Sequence, residues 1–313
     1  MNKENKKFLA RFFTGRSLRL FNFLIPKRSL KCIYRVGAVL GRAAYVFVGR
    51  HRKVALNSLS TAFPELKEKE RIKIAKSFFI FISQSVLELY YFLYNPAAAE
   101  NIRIEGKEFL DRALKYNKGV IAVTAHMGSF PLICYKLGRL GYKVRVVFRP
   151  IRDRMVRQYV DGLRKEAGIK AIFSYPRKQC VVDIVNALRD NEIVLILIDQ
   201  NFGTGGVWVK FFNNLAATPA GPVVFALRTQ AKVLPIYIIR EGVGRHCIKI
   251  FPHIELETRK DKDETILLNT VKFTAIIEHW VREFPCQWAW IHRRWKSRPS
   301  EKVLNTKFRV QRY

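Results

Sequence analysis

Acidic residues are scarce in this chain of 313 residues: 25 Asp and Glu stand against 57 Lys and Arg, a net charge of +32. Such a balance speaks of partners rather than fold, and the partners are anionic: nucleic acid, an anionic membrane surface, or acidic proteins and phosphorylated substrates. The basic residues run along the whole chain with no isolated Lys/Arg tail, which argues for a broad positive surface. Cysteine is sparse and unpatterned. Cys32, Cys134, Cys180, Cys247 and Cys286 are odd in number, far apart and form no C-x-x-C. A disulfide framework or zinc knuckle is therefore not expected, and a reducing compartment fits. His246 and His253 flank a strand-like stretch with no further ligand at metal spacing, so they read as surface or strand residues.

Long apolar runs are missing too. No stretch of about 20 uncharged apolar residues occurs, so no transmembrane helix is expected. Residues 34–49 come nearest and are interrupted by Arg35 and Arg42. The basic N-terminal residues lack the apolar core and small-residue cleavage site of a signal peptide. Nucleotide signatures are absent: residues 203–206 (GTGG) have no following Lys-Ser/Thr and open no helix, and there is no G-x-G-x-x-G. RNP, KH and zinc-finger patterns are lacking as well. With no internal repeat and no low-complexity linker, one domain is expected.

What is present suffices for a core, since 49% of residues are hydrophobic and 26% charged. Helical periodicity dominates as far as Tyr94. It predicts one helix over 32–48 and another over 67–93, whose apolar face includes Ile74, Phe78, Phe79, Ile82 and Leu89, ended by Asn95-Pro96. From Ile102 the pattern alternates. Strands are predicted over 120–125, 144–148, 171–173, 193–198, 207–211, 233–239 and 247–251, and helices over 130–140, 153–167, 178–190, 219–229 and 264–283. Residues 193–198 (IVLILI) are apolar on both faces, as a central strand should be. The predicted fold class is α/β: a single domain with a mixed, largely parallel central sheet flanked by helices, behind a helical N-terminal membrane-associating portion. Residues 11–28 mix Phe and Leu with Arg and Lys. They suit an anionic bilayer surface, or equally a helix packed on the core.

The chain is organised around residues 119–131, GVIAVTAHMGSFP. A strand runs straight into His126. A short turn follows, with Ser129 expected as the N-cap of the next helix and Pro131 in that helix's first turn. His126 therefore stands at the carboxyl end of a strand, where open α/β sheets bind ligands. Alone it equally reads as a polar residue punctuating a turn. Arg149, Asp199 and Arg240 also follow strands, and His126, Arg149 and Asp199 are expected to face one cleft. Arg164, beside Lys165 and Glu166, reads by itself as part of a solvated helix face. Residues 284–299, FPCQWAWIHRRWKSRP, leave three readings open: Trp288, Trp290 and Trp295 with Arg293 and Arg294 stacking on bases, lying at a bilayer interface, or capping the core behind a basic rim.

Several blocks taken together resemble one family. They are HRKVALNSLSTAFPE (51–65), IEGKEFLDRALKYNKGVIAVTAHMGS (104–129), VFRP (147–150), IDQNFGTGGVWVKFFNNLAATPAGPVVFALRTQAKVLP (198–235) and PCQWAWIHRRWKSRP (285–299). In this order they resemble the bacterial lipid A biosynthesis acyltransferases of the late lauroyl/myristoyl type, within the lysophospholipid acyltransferase superfamily. The resemblance implies a membrane-associating segment at 1–50, an acyltransferase domain at 51–300 and a basic tail at 301–313. It implies transfer of a fatty acyl group from acyl-carrier protein or acyl-CoA to a hydroxyl of a lipid A precursor or related glycolipid. The reaction would occur at the cytoplasmic face of the bacterial inner membrane. The implied partners are that acyl donor, a phosphorylated glycolipid acceptor and an anionic membrane surface, with no nucleic acid and no metal or redox cofactor.

The resemblance also assigns residues. His126 matches the family's general base and Arg164 its oxyanion-stabilising arginine. Asp199 matches the Asp of the "DQ" block, taken to organise the site, and Arg149, Gln200 and Thr218 are implied as substrate-binding. One feature departs from the pattern. The family's acid lies five positions after the base, and here that position is Pro131, within a stretch from Arg112 to Arg152 that holds no Asp or Glu. A distant carboxylate (Asp199, Asp153 or Glu88), a backbone carbonyl, or a non-catalytic role each answers the gap. The rival functions are a lysophospholipid or other membrane-lipid acyltransferase, a non-catalytic lipid-binding relative, and a basic nucleic-acid-binding protein.

Overall fold

Val120–Thr124 (VIAVT) is buried at every position, and the reason is its place. It is β2, the middle strand of a seven-stranded sheet ordered β1-β9-β8-β2-β5-β3-β4. The computed structural model describes residues 28–150, 157, 161, 162, 164, 165 and 168–299. The other strands are β1 (Ile102–Glu105), β3 (Val144–Phe148), β4 (Lys170–Phe173), β5 (Ile193–Leu197), β8 (Lys232–Gly242) and β9 (Arg245–Ile250). Strands β8, β2, β5, β3 and β4 run parallel, while β9 pairs antiparallel with β8 and β1 pairs parallel with β9. The sheet is mixed and largely parallel, as expected. A separate antiparallel hairpin joins β6 (Val207–Phe211) to β7 (Asn214–Thr218).

Helices cover both faces, which is why β2 and β5 are apolar on both sides. On one face Ile121 and Val123 pack with α2 (Gly49–Ala62), α3 (Glu68–Tyr94), α6 (Arg177–Arg189), α7 (Gly221–Thr229) and α8 (Lys262–Glu283). On the other, Val120 and Ala122 meet α4 (Lys107–Leu114), α5 (Pro131–Arg139) and the end of α3 at Phe92. Helix α1 (Leu30–Phe47) lies along α3 in close contact: a Cβ on Gly41 would stand 2.4 Å from the Ile80 Cα. Only glycine allows that approach. Residues 30–47 thus pack as part of the same body.

The elements expected from sequence occur, apart from the helix over 153–167. It lies mostly outside the described residues, although residues 157, 161, 162, 164 and 165 are helical. The N-terminal residues 11–27 and the tail 301–313 also lie outside. Helix α2 and strands β1 and β7 were not anticipated. Among the described residues no single helix is long and apolar enough to cross a membrane; α1 and α2 together have the length and composition, but are bent by 88°.

One local expectation is overturned. Ser129 does not cap α5, whose N-cap residue is Phe130 in helical conformation. The Ser129 hydroxyl instead donates to Glu88 Oε2 at 3.4 Å, and the chain enters the helix through a turn closed by Leu132 N–H on Ser129 O.

Candidate active site

The parallel pairing of β2 with β5 aligns Thr124 with Leu197. Two residues further on, the same register sets His126 beside Asp199. Asp199 Oδ1 lies 2.8 Å from His126 Nδ1, and its Oδ2 accepts from the His126 backbone N–H at 2.8 Å and from Trp288 Nε1 at 2.8 Å. The carboxylate is buried, at 2% exposure. Burial by itself would raise its pKa. The His126 ring and the N–H donors outweigh that and hold it at about 2. Asp199 is therefore an ionised, acceptor-only group, so Nδ1 of His126 is the donor and Nε2 carries the lone pair. That is the tautomer a general base needs. The imidazole keeps a route to solvent, its side chain being 23% exposed.

The turn after His126 is clamped by the C-terminal segment. Gly128 N–H donates to Gln287 O at 2.9 Å, Ala289 N–H donates to His126 O at 3.1 Å, and Met127 bridges to Trp288. Gly128 has φ +59°, and a Cβ there would lie 1.9 Å from Ile238 O. The turn can press against β8 only with glycine. Trp288 and Trp290 are fully buried, and Trp295 is nearly so. They pack with Phe211, Phe212 and Phe63. Of the three readings of this segment, core capping is the observed one, and these rings have no face free for bases or lipid.

Arg294 is buried at 1% exposure. It donates to Ala217 O, to Gln200 O at 3.1 Å and to the Thr218 hydroxyl. Burial lowers its pKa to about 10, opposed by the charge of Asp199; it remains a cation and offsets the buried carboxylate. Gln200 turns its side chain outward. Its Nε2 lies 2.8 Å from His126 Nε2 and 2.9 Å from Nε2 of His292. The rings of His126 and His292 are 5.0 Å apart. Burial, then the charge of His126, pushes His292 down to about 4, leaving it neutral.

His126, Asp199 and Gln200 thus come together. Thr218 lies behind them, fully buried, with its hydroxyl on Arg294 and Ala216 O. Arg149 is exposed beyond the end of β3 on the same sheet edge. Arg164 is not on a solvated helix face. Its guanidinium lies over Phe148 (4.7 Å) and Phe173 (5.6 Å), paired with Asp161, and burial lowers its pKa. Arg240 does not join the cleft. It belongs to β8 and reaches Gln84 Oε1 at 3.0 Å, Ser85 Oγ at 2.6 Å and Glu88 Oε2 at 3.0 Å. Glu88 is engaged by Tyr34, Ser129, Arg240 and His246, the last at 2.8 Å. His246 is accordingly buried in β9 rather than on the surface. Asp153 lies outside the described residues. Of the carboxylates considered for the missing acid, the one on His126 is Asp199. Sequence reasoning overlooked His292 and the bond from Trp288 to Asp199; both sit inside the WAWIHRRW block, whose density was the available signal.

The sequence profile described as bacterial lipid A biosynthesis acyltransferase matches residues 16–297. The chain is 25% identical over 283 residues to a lipid A biosynthesis lauroyltransferase of Escherichia coli (strain K12), covering 88% of this chain and 89% of that one. It is 26% identical over 270 residues to a lipid A biosynthesis palmitoleoyltransferase of the same strain, covering 84% and 85%. A phosphatidylinositol mannoside acyltransferase of Mycobacterium tuberculosis (strain CDC 1551 / Oshkosh) is 26% identical over 143 residues, 45% of each chain. The match over residues 16–297, most of the length, places this chain among the bacterial lipid A biosynthesis acyltransferases.

Proposed function

We propose that this acyltransferase moves a fatty acyl group from the thioester of acyl-carrier protein or acyl-CoA to a hydroxyl of a lipid A precursor. The observation that carries the reading is the 2.8 Å contact of Asp199 with His126 Nδ1, which leaves Nε2 as the basic atom. His126 takes the acceptor's hydroxyl proton as the oxygen attacks the thioester carbonyl. The C–O bond forms, the C–S bond breaks, and the proton passes from His126 to the departing thiolate. Asp199 stabilises the imidazolium formed on the way. Arg164 faces the oxyanion, Arg149 meets phosphate on the acceptor, and Thr218 acts through Arg294 by holding the Asp199–Gln200 backbone. The net charge of +32 suits a phosphorylated acceptor and an acidic donor protein. The mannoside acyltransferase relative favours, as a second reading, another membrane glycolipid as acceptor.

The test is acyl transfer by purified protein in detergent, with acyl-carrier protein and CoA thioesters as donors and lipid extract holding underacylated lipid A precursors. Wild type is expected to form product and His126→Ala to lose at least about 100-fold, the scale of general-base removal. Absence of transfer by wild type to any lipid, with lipid binding retained, would leave a non-catalytic lipid-binding relative.

The same reading places the protein on the cytoplasmic leaflet. Val36, Val39, Leu40, Val46 and Phe47 of α1 are exposed, Phe47 at 83%, and Lys31, Arg35, Arg42 and Arg50 are exposed around them. An apolar strip with a basic border suits an anionic bilayer. Phe47→Asp is expected to weaken binding to phosphatidylglycerol-containing vesicles about tenfold, from the apolar area lost. Wild-type binding by the variant would move the contact elsewhere.

A further inference from the structure

One amide N–H₂ serves two imidazole lone pairs at the candidate site. Asp199 fixes the His126 proton on Nδ1, so its Nε2 can only accept, and Gln200 Nε2 is the donor at 2.8 Å. His292 is neutral and likewise accepts at Nε2, from the second N–H of the same amide at 2.9 Å. The atom that must receive the acceptor's proton is thus covered by the protein's own side chain. We propose that Gln200 is a latch occupying the place of the acceptor hydroxyl on His126, that His292 holds it there, and that the acceptor binds by displacing it.

The proposal deepens the acyltransferase reading and rests on His126 being its base. Geometry supplies the return stroke. When His126 Nε2 carries a proton, a half-turn of the Gln200 amide about its last torsion exchanges Nε2 for Oε1 and presents the oxygen to that N–H. His292 anchors the amide while the latch is closed and acts as a positioning residue, without touching substrate. Its neutrality also avoids placing a second cation 5.0 Å from the imidazolium, ring to ring. Because the latch must open first, it lowers the apparent affinity for acceptor by the fraction of molecules in which it is closed.

The test reads the lone pair itself. Diethylpyrocarbonate reacts with unprotonated imidazole nitrogen, and peptide mapping separates His126 from the other histidines. At neutral pH, Gln200→Met is expected to raise the His126 labelling rate about five- to tenfold, the equivalent of one net hydrogen bond. Gln200→Asn, one methylene shorter and still polar, serves as the second variant with the same expectation. Labelling at the wild-type rate in both, with unchanged melting, overturns the latch. Steady-state kinetics give the second readout. Gln200→Met is expected to lower the KM for acceptor, whereas a residue that binds acceptor would raise it, and a raised KM also overturns the proposal. Labelling needs no turnover, so a protein that transfers no acyl group fails the functional reading and still reports on the latch.

Discussion

Asp199→Asn is expected to lower kcat for acyl transfer by about 10⁴ with the fold intact, the scale seen when the orienting acid of a Ser-His-Asp site becomes its amide. The reason lies in where the two oxygens of Asp199 point. Oδ2 accepts two N–H groups, from the His126 backbone and Trp288, and Oδ1 accepts one, from His126 Nδ1. An asparagine satisfies the larger demand by placing its oxygen at the Oδ2 position. Its N–H₂ then faces Nδ1, which must become the acceptor, and the ring proton moves to Nε2. The base is left without a lone pair toward substrate. Among the described residues no other carboxylate considered for the role rescues it, since Pro131 occupies the family's acidic position and Glu88 is held by Tyr34, Arg240 and His246. A loss under tenfold in a folded variant would show that something other than Asp199 orients His126.

Arg294→Met is expected to be the most destabilising change near the site, by about 3–5 kcal/mol, as when a buried ion loses its compensating charge. Methionine fills much of the volume but donates nothing. Gln200 O and the Thr218 hydroxyl lose this donor inside the protein, while Ala217 O keeps the Phe202 N–H, and each buried acceptor left unpaired costs about 1–3 kcal/mol. Asp199 loses the cation that offsets its buried charge. Thermal melting should fall on the order of 10 °C. Arg293→Met is the control. Arg293 is exposed, and a substitution there should stay within about 0.5 kcal/mol. Equal melting of the two variants would mean that Arg294 carries no such burden.

The sheet was legible because its central strands are apolar at every position or nearly so, as in VIAVT of β2 and IVLIL of β5, and are separated by amphipathic helices. Strand β1 (IRIE) escaped because four alternating residues give little periodicity. Strand β7 escaped for a different reason. Its hairpin turns at Phe212 and Asn213, both with φ near +50° to +60°, a turn that usually announces itself with Asn-Gly. Here the cost of a left-handed phenylalanine is offset by its contacts: its N–H donates to Glu278 Oε2 at 2.6 Å and its ring packs on Trp290 and Phe63. Tertiary contacts of that kind leave no local trace in sequence. The site shows the same division. His126 and Asp199 were both visible as strand-ending polar residues. Their partnership stood only as one alternative beside Asp153, Glu88 and a backbone carbonyl, because it depends on the order and register of β2 and β5, which no local pattern encodes. His292 comes from a segment about 90 residues beyond Gln200, and composition alone could not say that its tryptophans point inward.

The central claim is that Asp199, in place of an acid at position 131, sets the working tautomer of His126. Nitrogen-15 chemical shifts of histidine-labelled protein in detergent, with the His126 signals assigned by their loss in His126→Gln, measure this directly. At a pH where the ring is neutral, wild type should show Nδ1 protonated and Nε2 bare, and Asp199→Asn should show the two exchanged. A wild-type His126 with its proton on Nε2, or an Asp199→Asn variant indistinguishable from wild type, would contradict the account.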